Sequence, residues 1–424
     1  MFNERFKAIR KNSGRTQKEL AEFLNISPQS VSKWENGEAL PGIEYLPLMA
    51  KFFSCSIAAF FEDAHESSLP EKVTEEVSLS KDMEGVRDRL CSVFSTLGLG
   101  VKIARVYEGV RIYTFTCTMY GGTKTSDVLD KFGDIREKID DKICIKTDDK
   151  DKDSFTVEIP KSDFSPVLLS DILEGEEYKA SDCRIPVVIG YRPSGELIID
   201  DLAACKHILI GGGVRSGKTM FLRNVITCLT SRFSHEELNL VISDIKKRDL
   251  IYANEYPHLL GKVLTEIDET ERVLKHVVEE MECRKGAFKS FAASNIEEYN
   301  KVADKRMSEI VVVIDELVDL LAYSKKIPDL LFELARYGGA VGIHLVMATE
   351  RPHTKLAPIK AYVSSRVAFV TENAKDSLAI IDSSAARCLS GYGDMLYSGL
   401  KHFSSVRAQA PFIDERESLA LSKA

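Results

Sequence analysis

No apolar run in this chain approaches the roughly 20 residues that a membrane-spanning helix needs. No secretory leader opens it either: Arg5, Lys7, Arg10 and Lys11 are spread along an amphipathic stretch with no apolar region after them. A spanning segment or membrane anchor is therefore not expected. Positive charge is not in excess, since 57 Lys and Arg face 65 Asp and Glu for a net charge of −8. No global field draws the chain onto nucleic acid, so any such contact must come from local basic surfaces. The nine cysteines, Cys55, Cys91, Cys144, Cys283 and Cys388 among them, contain no C-x-x-C pair and no His at metal-ligand spacing. That argues against zinc and against a secreted disulfide framework, and a reducing cytoplasm is the expected setting. No internal repeat is present.

What is present exceeds one hydrophobic core: 424 residues, 44% hydrophobic and 29% charged. Residues 1–64 read as short helices, with caps at Thr16 and Ser27 and a stop at Gly37. Residues 65–82, which include the Ser-, Glu- and Lys-rich run from His65 to Lys81, read as a linker. Residues 83–180 read as a small α+β block of helix, two strands, helix and two strands, with a tight turn at Glu108-Gly109. Its charged run Asp148 to Asp153 alternates acids with lysines, as a solvated hairpin tip does, and does not suggest a metal site. From 181 to 415, buried-type strands (HILIGG, LNLVISD, EIVVVIDE, IHLVMATE, RVAFVT) alternate with helical patterns, and 416–424 is a tail. The expected fold class is α/β, a parallel sheet covered on both faces, preceded by the α+β block and an all-α domain.

In the first block, TQKELAEFL and PQSVSKWE are joined by Asn25-Ile26-Ser27. Leu20, Ala21, Leu24, Ile26, Val31 and Trp34 fall where two crossing helices share a core. Gln29, Ser30, Ser32 and Lys33 then lie on the outer face of the second helix, near its N-terminal end, where major-groove base edges are read. Gln17 is placed for a phosphate contact, with Arg5, Arg10, Arg15 and Lys18 as nearby charge.

In the last block, Gly212-Gly213-Val214-Arg215-Ser216-Gly217-Lys218-Thr219 fits G-x-x-x-x-G-K-[ST] between a short apolar strand and a helical pattern. The glycines allow backbone amides to curl around phosphates, Lys218 reaches the β and γ oxygens of ATP, and Thr219 ligates Mg2+. A buried-type strand ends in Asp315-Glu316, the pair expected to hold the magnesium and to polarise the attacking water.

Taken together, residues 83–413 resemble the motor of the FtsK/SpoIIIE translocases, and residues 1–64 resemble the Cro/repressor-like (XRE) helix-turn-helix family through T-Q-K-E-L-A and S-x-x-S-V-S-K-W-E-N-G. The motor resemblance rests on V-E-I-P around Ile159, on Ser243-Asp244-Ile245-Lys246 at the place of D-P-K, and on Tyr256-Pro257-His258-Leu259-Leu260. It rests also on G-I-H-L-V-M-A-T-E-R-P from Gly342 to Pro352 and on G-Y-G-D-M-L-Y from Gly391 to Tyr397. The resemblance implies a RecA-like P-loop ATPase acting on double-stranded DNA as a homo-oligomer, a hexameric ring, with a relaxase or another DNA-transfer protein as a candidate partner. It implies roles in catalysis for Glu316, Thr349 and an arginine such as Arg336. The sequence departs from the family at Glu350, where Gln is usual, and at Gly339 and Leu378, where many relatives carry Arg. A carboxylate at 350 is expected to repel phosphate unless protonated or turned away. No room remains after the motor for the winged-helix module of chromosome-segregating members, so the N-terminal reader is expected to choose the DNA site. The alternative is an ATP-binding regulator with weak or no hydrolysis.

Overall fold

The computed structural model describes residues 6–7, 9–10, 16–24, 26–37, 41–42, 45–53, 80–140, 142–147, 153–161, 165–351 and 356–423. Residues 65–79 of the linker expected at 65–82, Arg5, Arg15, Asn25, residues 148–152 and Pro352 lie outside them, and the linker's last two residues instead begin a helix capped by Ser80. The chain divides into two compact units, Met1–Val77 and Ser78–Ala424.

The first unit contains the helices Gln17–Leu24, Pro28–Asn36 and Leu46–Phe53. The first starts in a capping box: the Thr16 amide donates to Glu19 at 2.7 Å and the Glu19 amide donates to the Thr16 hydroxyl at 3.2 Å. The second starts at Ser27, whose hydroxyl accepts from the Ser30 amide, and stops at Gly37, whose φ of 76° only glycine adopts freely. Leu20, Ala21, Leu24, Val31 and Trp34 are buried together with Phe6, Met49 and Phe53, and Ile26 packs against them.

The second unit holds two sheets. The smaller contains β1 (Val101–Glu108), β2 (Ile112–Met119), β3 (Cys144–Thr147) and β4 (Ser154–Pro160), all antiparallel in the order β1-β2-β4-β3. It packs on the helix Lys81–Thr96 through Phe94, Phe115, Phe155 and Val157.

The larger sheet has nine strands: β5 (Pro186–Tyr191), β6 (Leu197–Asp201), β7 (His207–Gly211), β8 (Leu238–Asp244), β9 (Glu309–Asp315), β10 (Ile343–Thr349), β11 (Ser365–Phe369), β12 (Asp394–Gly399) and β13 (His402–Gln409). Their order is β6-β5-β13-β12-β11-β7-β10-β9-β8. The five strands expected from the sequence, β7 to β11, are the parallel ones. The sheet as a whole is mixed, because β12, β13, β5 and β6 extend it antiparallel beyond β11. Alternate side chains of the parallel strands enter two cores. Ile208, Ile210, Val311 and Val313 meet Phe221, Leu222 and Val225 of the helix Lys218–Arg232 on one face. Leu209, Val312, Ile314 and Leu345 meet Leu274 and Met281 of the helix Ile267–Ser290 on the other. Burial on both faces is why these strands read as unbroken apolar runs.

Two arginines join the smaller sheet to the larger. Arg407 on β13, itself buried, binds Asp394 on β12 at 2.9 and 2.6 Å and reaches Glu158 on β4, which is also buried. Arg111, just before β2, donates to the carbonyls of Gly391 and Tyr392, both at 3.0 Å. At the far side, β8 is the last strand, yet its outer backbone groups are taken. The Leu240 amide donates to His258 O and the Leu260 amide to Leu240 O, both at 2.8 Å. Leu264 and Asp244 continue the pairing, with the Leu264 amide donating to Ile242 O and the Asp244 amide to Leu264 O.

Candidate active site and nucleic-acid interface

β7 sits between β10 and β11, all three parallel, so the crevice beyond its C-terminal end is where an open α/β sheet receives ligands. The loop from Gly212 to Gly217 fills it. The Gly212 amide donates to Thr349 O and the Gly213 amide to Val370 O, which ties the loop to the ends of β10 and β11. A Cβ on Gly212 would lie 2.7 Å from that of Phe369, and Gly217 has a φ of 123° with Gly393 N 3.0 Å from where its Cβ would stand. Both positions demand glycine. Arg215 adopts a φ of 57°, so its position asks for a left-handed backbone, a stricter demand than the sequence suggests. The buried hydroxyl of Ser216 has no hydrogen-bond partner among the described residues. A glycine cradle with an unpaired hydroxyl, at the head of a long helix, fits a phosphate-bearing nucleotide.

A cavity of about 980 Å³ opens on this loop, lined by Val214 to Met220, Lys246, Arg248, Asp249 and Glu350, and further out by Val110, Arg111, Tyr392 and Phe412. Lys218 is buried and its Nζ rests on Gly213 O at 2.7 Å. Burial lowers its pKa, opposed by Glu350, Glu316 and Asp315. The Thr219 hydroxyl faces Asp249 at 3.4 Å. Asp315 ends β9 beside Asp244 of β8, and burial, aided by Asp244, Glu316 and Asp249 and opposed by Lys246, lifts its carboxyl to about 6. Among the described residues no three His, Cys, Asp or Glu side chains could hold a metal between them. A divalent ion here would need phosphate oxygens to complete its shell.

Glu316 and Thr349 meet behind the cavity wall, and Glu350 joins them from the wall itself. Glu316 is only 4% exposed, adopts a left-handed φ of 65° and does not line the cavity. Its Oε1 accepts from the Thr349 hydroxyl and from the Glu350 amide, both at 3.1 Å, and its Oε2 accepts from Lys246 Nζ at 2.9 Å. Lys246 also binds Glu350 at 2.7 Å. Burial works against charge on Glu350, but the bond to Lys246 and the nearby Lys218 outweigh it and keep its carboxyl below the ordinary value. Glu350 is thus neither protonated nor solitary: it is ion-paired.

Arg336 does not reach the cavity of its own chain. It is exposed and stacks over Tyr337 at 4.8 Å, and Gly338 next to it abuts Ile343, where β10 begins. Seven strand residues separate that end from Thr349, roughly 20 Å. Arg366 pairs with Asp382 at 2.5 Å, and Leu378 is exposed on the helix Ala374–Ile381. A side chain at Gly339 would run into Lys206, whose Cγ lies 2.6 Å from a Cβ there. The residues that sequence reasoning left without a role are Lys246, Asp249, Arg111, Tyr392 and Phe412. For Lys246 a signal existed in the D-x-K turn. For Tyr392 one existed in the G-Y-G-D-M-L-Y run, and for the others it did not.

In the first unit, Gln29 and Lys33 are exposed, while Ser32 is half-buried. Ser30 is half-buried too, its hydroxyl 2.9 Å from that of Ser27. The Gln17 amide donates to Glu35 at 2.7 Å, and Arg10 binds the same buried carboxylate. Arg10 is therefore engaged within the domain.

Residues 168–354 match the FtsK/SpoIIIE family and residues 6–60 a helix-turn-helix family. The chain is 30% identical over 351 residues to the DNA translocase FtsK of Caldanaerobacter subterraneus subsp. tengcongensis, covering 82% of this chain and 49% of that protein. Similarity to the DNA translocase SpoIIIE of Bacillus subtilis is 30% over 343 residues, covering 78% and 45%. The chain thus spans about half the length of the curated relatives it matches. Among solved structures, the pCW3 conjugation coupling protein TcpA, a monomer with ATPγS, is 21% identical and superposes with a TM-score of 0.55 over 80% of this chain and 99% of that one. The cytoplasmic domain of the Thermomonospora curvata type VII secretion ATPase EccC, 20% identical, gives 0.54 over 61% and 35%. The same P-loop ATPase fold therefore underlies all three. No helix among the described residues is long and apolar enough to cross a membrane. The chain carries a domain of the FtsK/SpoIIIE family together with an N-terminal helix-turn-helix domain.

Proposed function

We propose that the second unit hydrolyses ATP with Mg2+ to drive movement of double-stranded DNA, and that the helix-turn-helix unit selects the DNA site. The observation that carries this reading is the convergence of Lys218, Thr219, Asp315, Glu316 and Thr349 at the ends of three neighbouring parallel strands. In it, Lys218 exchanges Gly213 O for the β and γ oxygens. The Thr219 hydroxyl and the Asp315 carboxylate would hold a magnesium ion, which would supply charge neutralisation at the phosphates. Glu316 accepts the proton of the attacking water, and Thr349 fixes its carboxylate. Arg336, exposed and far from its own cavity, serves a neighbouring subunit in a hexameric ring. The names of the curated relatives support DNA as the substrate. By analogy with the coupling protein of like fold, we assign the chain to DNA transfer or maintenance of a mobile element in the cytoplasm, with a relaxase or similar DNA-transfer protein as partner.

One observation favours a second reading, an ATP-binding, DNA-binding regulator with little or no hydrolysis: Lys246 already occupies Glu316. ATPase activity with and without duplex DNA separates the two. Stimulation by duplex is expected. Glu316→Gln should bind ATP without turning it over, and Lys218→Ala should weaken ATP binding about tenfold or more, because the P-loop cation assigned to the β and γ phosphates is then gone. Binding without turnover by the wild type on DNA selects the regulator. Equal ATP binding by wild type and Lys218→Ala overturns the nucleotide site itself.

A further inference from the structure

A general base needs a free lone pair facing its water, and of the roughly four on the Glu316 carboxylate at least three are engaged in this structure. Thr349 and the Glu350 amide engage one oxygen, and Lys246 engages the other at 2.9 Å. Lys246 stands between the cavity, which it lines, and Glu316, which does not line it. Its backbone cannot follow a ligand. Asp244 accepts three successive amides, Arg248, Asp249 and Leu250, at 3.1, 3.0 and 3.0 Å, which fixes the turn. Only the four-carbon side chain of Lys246, 28% exposed, is left to move.

We propose that Lys246 is a latch over the carboxylate of Glu316 and that Glu350 is the catch holding it closed, a device resting on the ATPase reading above. Glu350 binds Lys246 at 2.7 Å on the cavity side. Its own amide is bonded to Glu316, so the two carboxylates sit close, with Lys246 as the cation between them. If Lys246 leaves, two like charges face each other at close range. Terminal phosphate oxygens at the P-loop offer Lys246 the competing charge-assisted bond. Opening therefore requires a bound triphosphate, and Glu350 makes opening harder. Both residues are positioning residues: they act on turnover through Glu316.

Direct repulsion between Glu350 and phosphate is the competing account, and the two differ in what they change. Repulsion alters KM; a latch alters kcat. The test is steady-state ATPase of the full chain, without and with excess duplex DNA, for wild type, Glu350→Gln, Lys246→Met and the double variant. Binding of a fluorescent ATP and thermal melting are followed in parallel. Glu350→Gln should raise the DNA-free kcat about fivefold or more, within the range of coupling between adjacent charged groups. The same change should leave kcat unaltered in the Lys246→Met background. Lys246→Gln repeats the comparison if Lys246→Met lowers the melting transition. A change confined to KM, an unchanged kcat, or an equal gain in both backgrounds overturns the latch while leaving the ATPase reading intact. Nucleotide binding with no turnover in any variant overturns the ATPase reading and the latch with it. Turnover appearing in Glu350→Gln and in Lys246→Met but not in wild type supports the latch.

Discussion

His207 opens β7 with its imidazole fully buried, and its Nδ1 accepts the Leu345 amide at 3.0 Å. Burial, reinforced by His344, lowers its pKa from the ordinary 6.5 to about 3. In the unfolded chain the ring binds a proton once pH falls below about 6.5, whereas in the folded chain it does not until about 3. The unfolded state is therefore favoured as pH drops through that window, by up to about 1.4 kcal/mol per pH unit for this one group. Urea unfolding of wild type and His207→Gln between pH 7 and 4 measures it. The acid-side loss of stability should be shallower by up to one proton in the variant, and identical slopes would remove His207 as a source. Residues with such demands are invisible to motif reading. Nothing in H-I-L-I-G-G distinguishes a histidine that must stay neutral from one that titrates freely.

Among the elements, the helix Pro28–Asn36 carries the proposed reading surface, and its cap couples the reader to its own fold. Ser30 lies against Ser27, the residue that starts the helix. Replacing Gln29, Ser30 and Ser32 with Ala should weaken binding at the preferred site by about 1–3 kcal/mol for each base edge no longer read. ATPase stimulation by random duplex should persist, because a motor that steps along DNA grips the backbone. Fluorescence anisotropy on sited and random duplexes, with ATPase on the random one, decides the matter: joint collapse, or no change in either, sinks this division of labour. The helices of this unit were legible in the sequence because caps and apolar spacing are local signals. The five parallel strands were legible too, since double burial writes itself as Val and Ile runs. The antiparallel strands β5, β6, β12 and β13 were not. Two of their pairings, β5 with β6 and β12 with β13, are local, but β13 meets β5 across most of the second unit, and P-V-V-I-G-Y looks the same in either direction. The same distance hid the Lys246 bridge: each of its three residues stands in a recognisable motif, but no spacing rule joins a turn after β8 to the ends of β9 and β10.

For the whole second unit, Arg407 is a side chain costly to lose. It is buried between Glu158 and Asp394, and the Asp394 carboxylate has the Ser390 amide as its other hydrogen-bond donor. Arg407→Leu should destabilise the unit by about 3–5 kcal/mol, the cost of stranding a buried carboxylate. Changing Asp394 to Asn in the same chain should recover part of that loss in thermal unfolding, and a melting temperature equal to wild type for Arg407→Leu would show the network to be dispensable. At the opposite border of the large sheet, the stretch from His258 to Leu264 occupies the outward amides and carbonyls of β8. An uncovered strand there would be a template onto which another chain could add its own backbone, and sheets that grow in that way end as aggregates. The stretch that runs on from the tyrosine-proline-histidine-leucine-leucine segment thus closes this border of the sheet to continuous strand pairing.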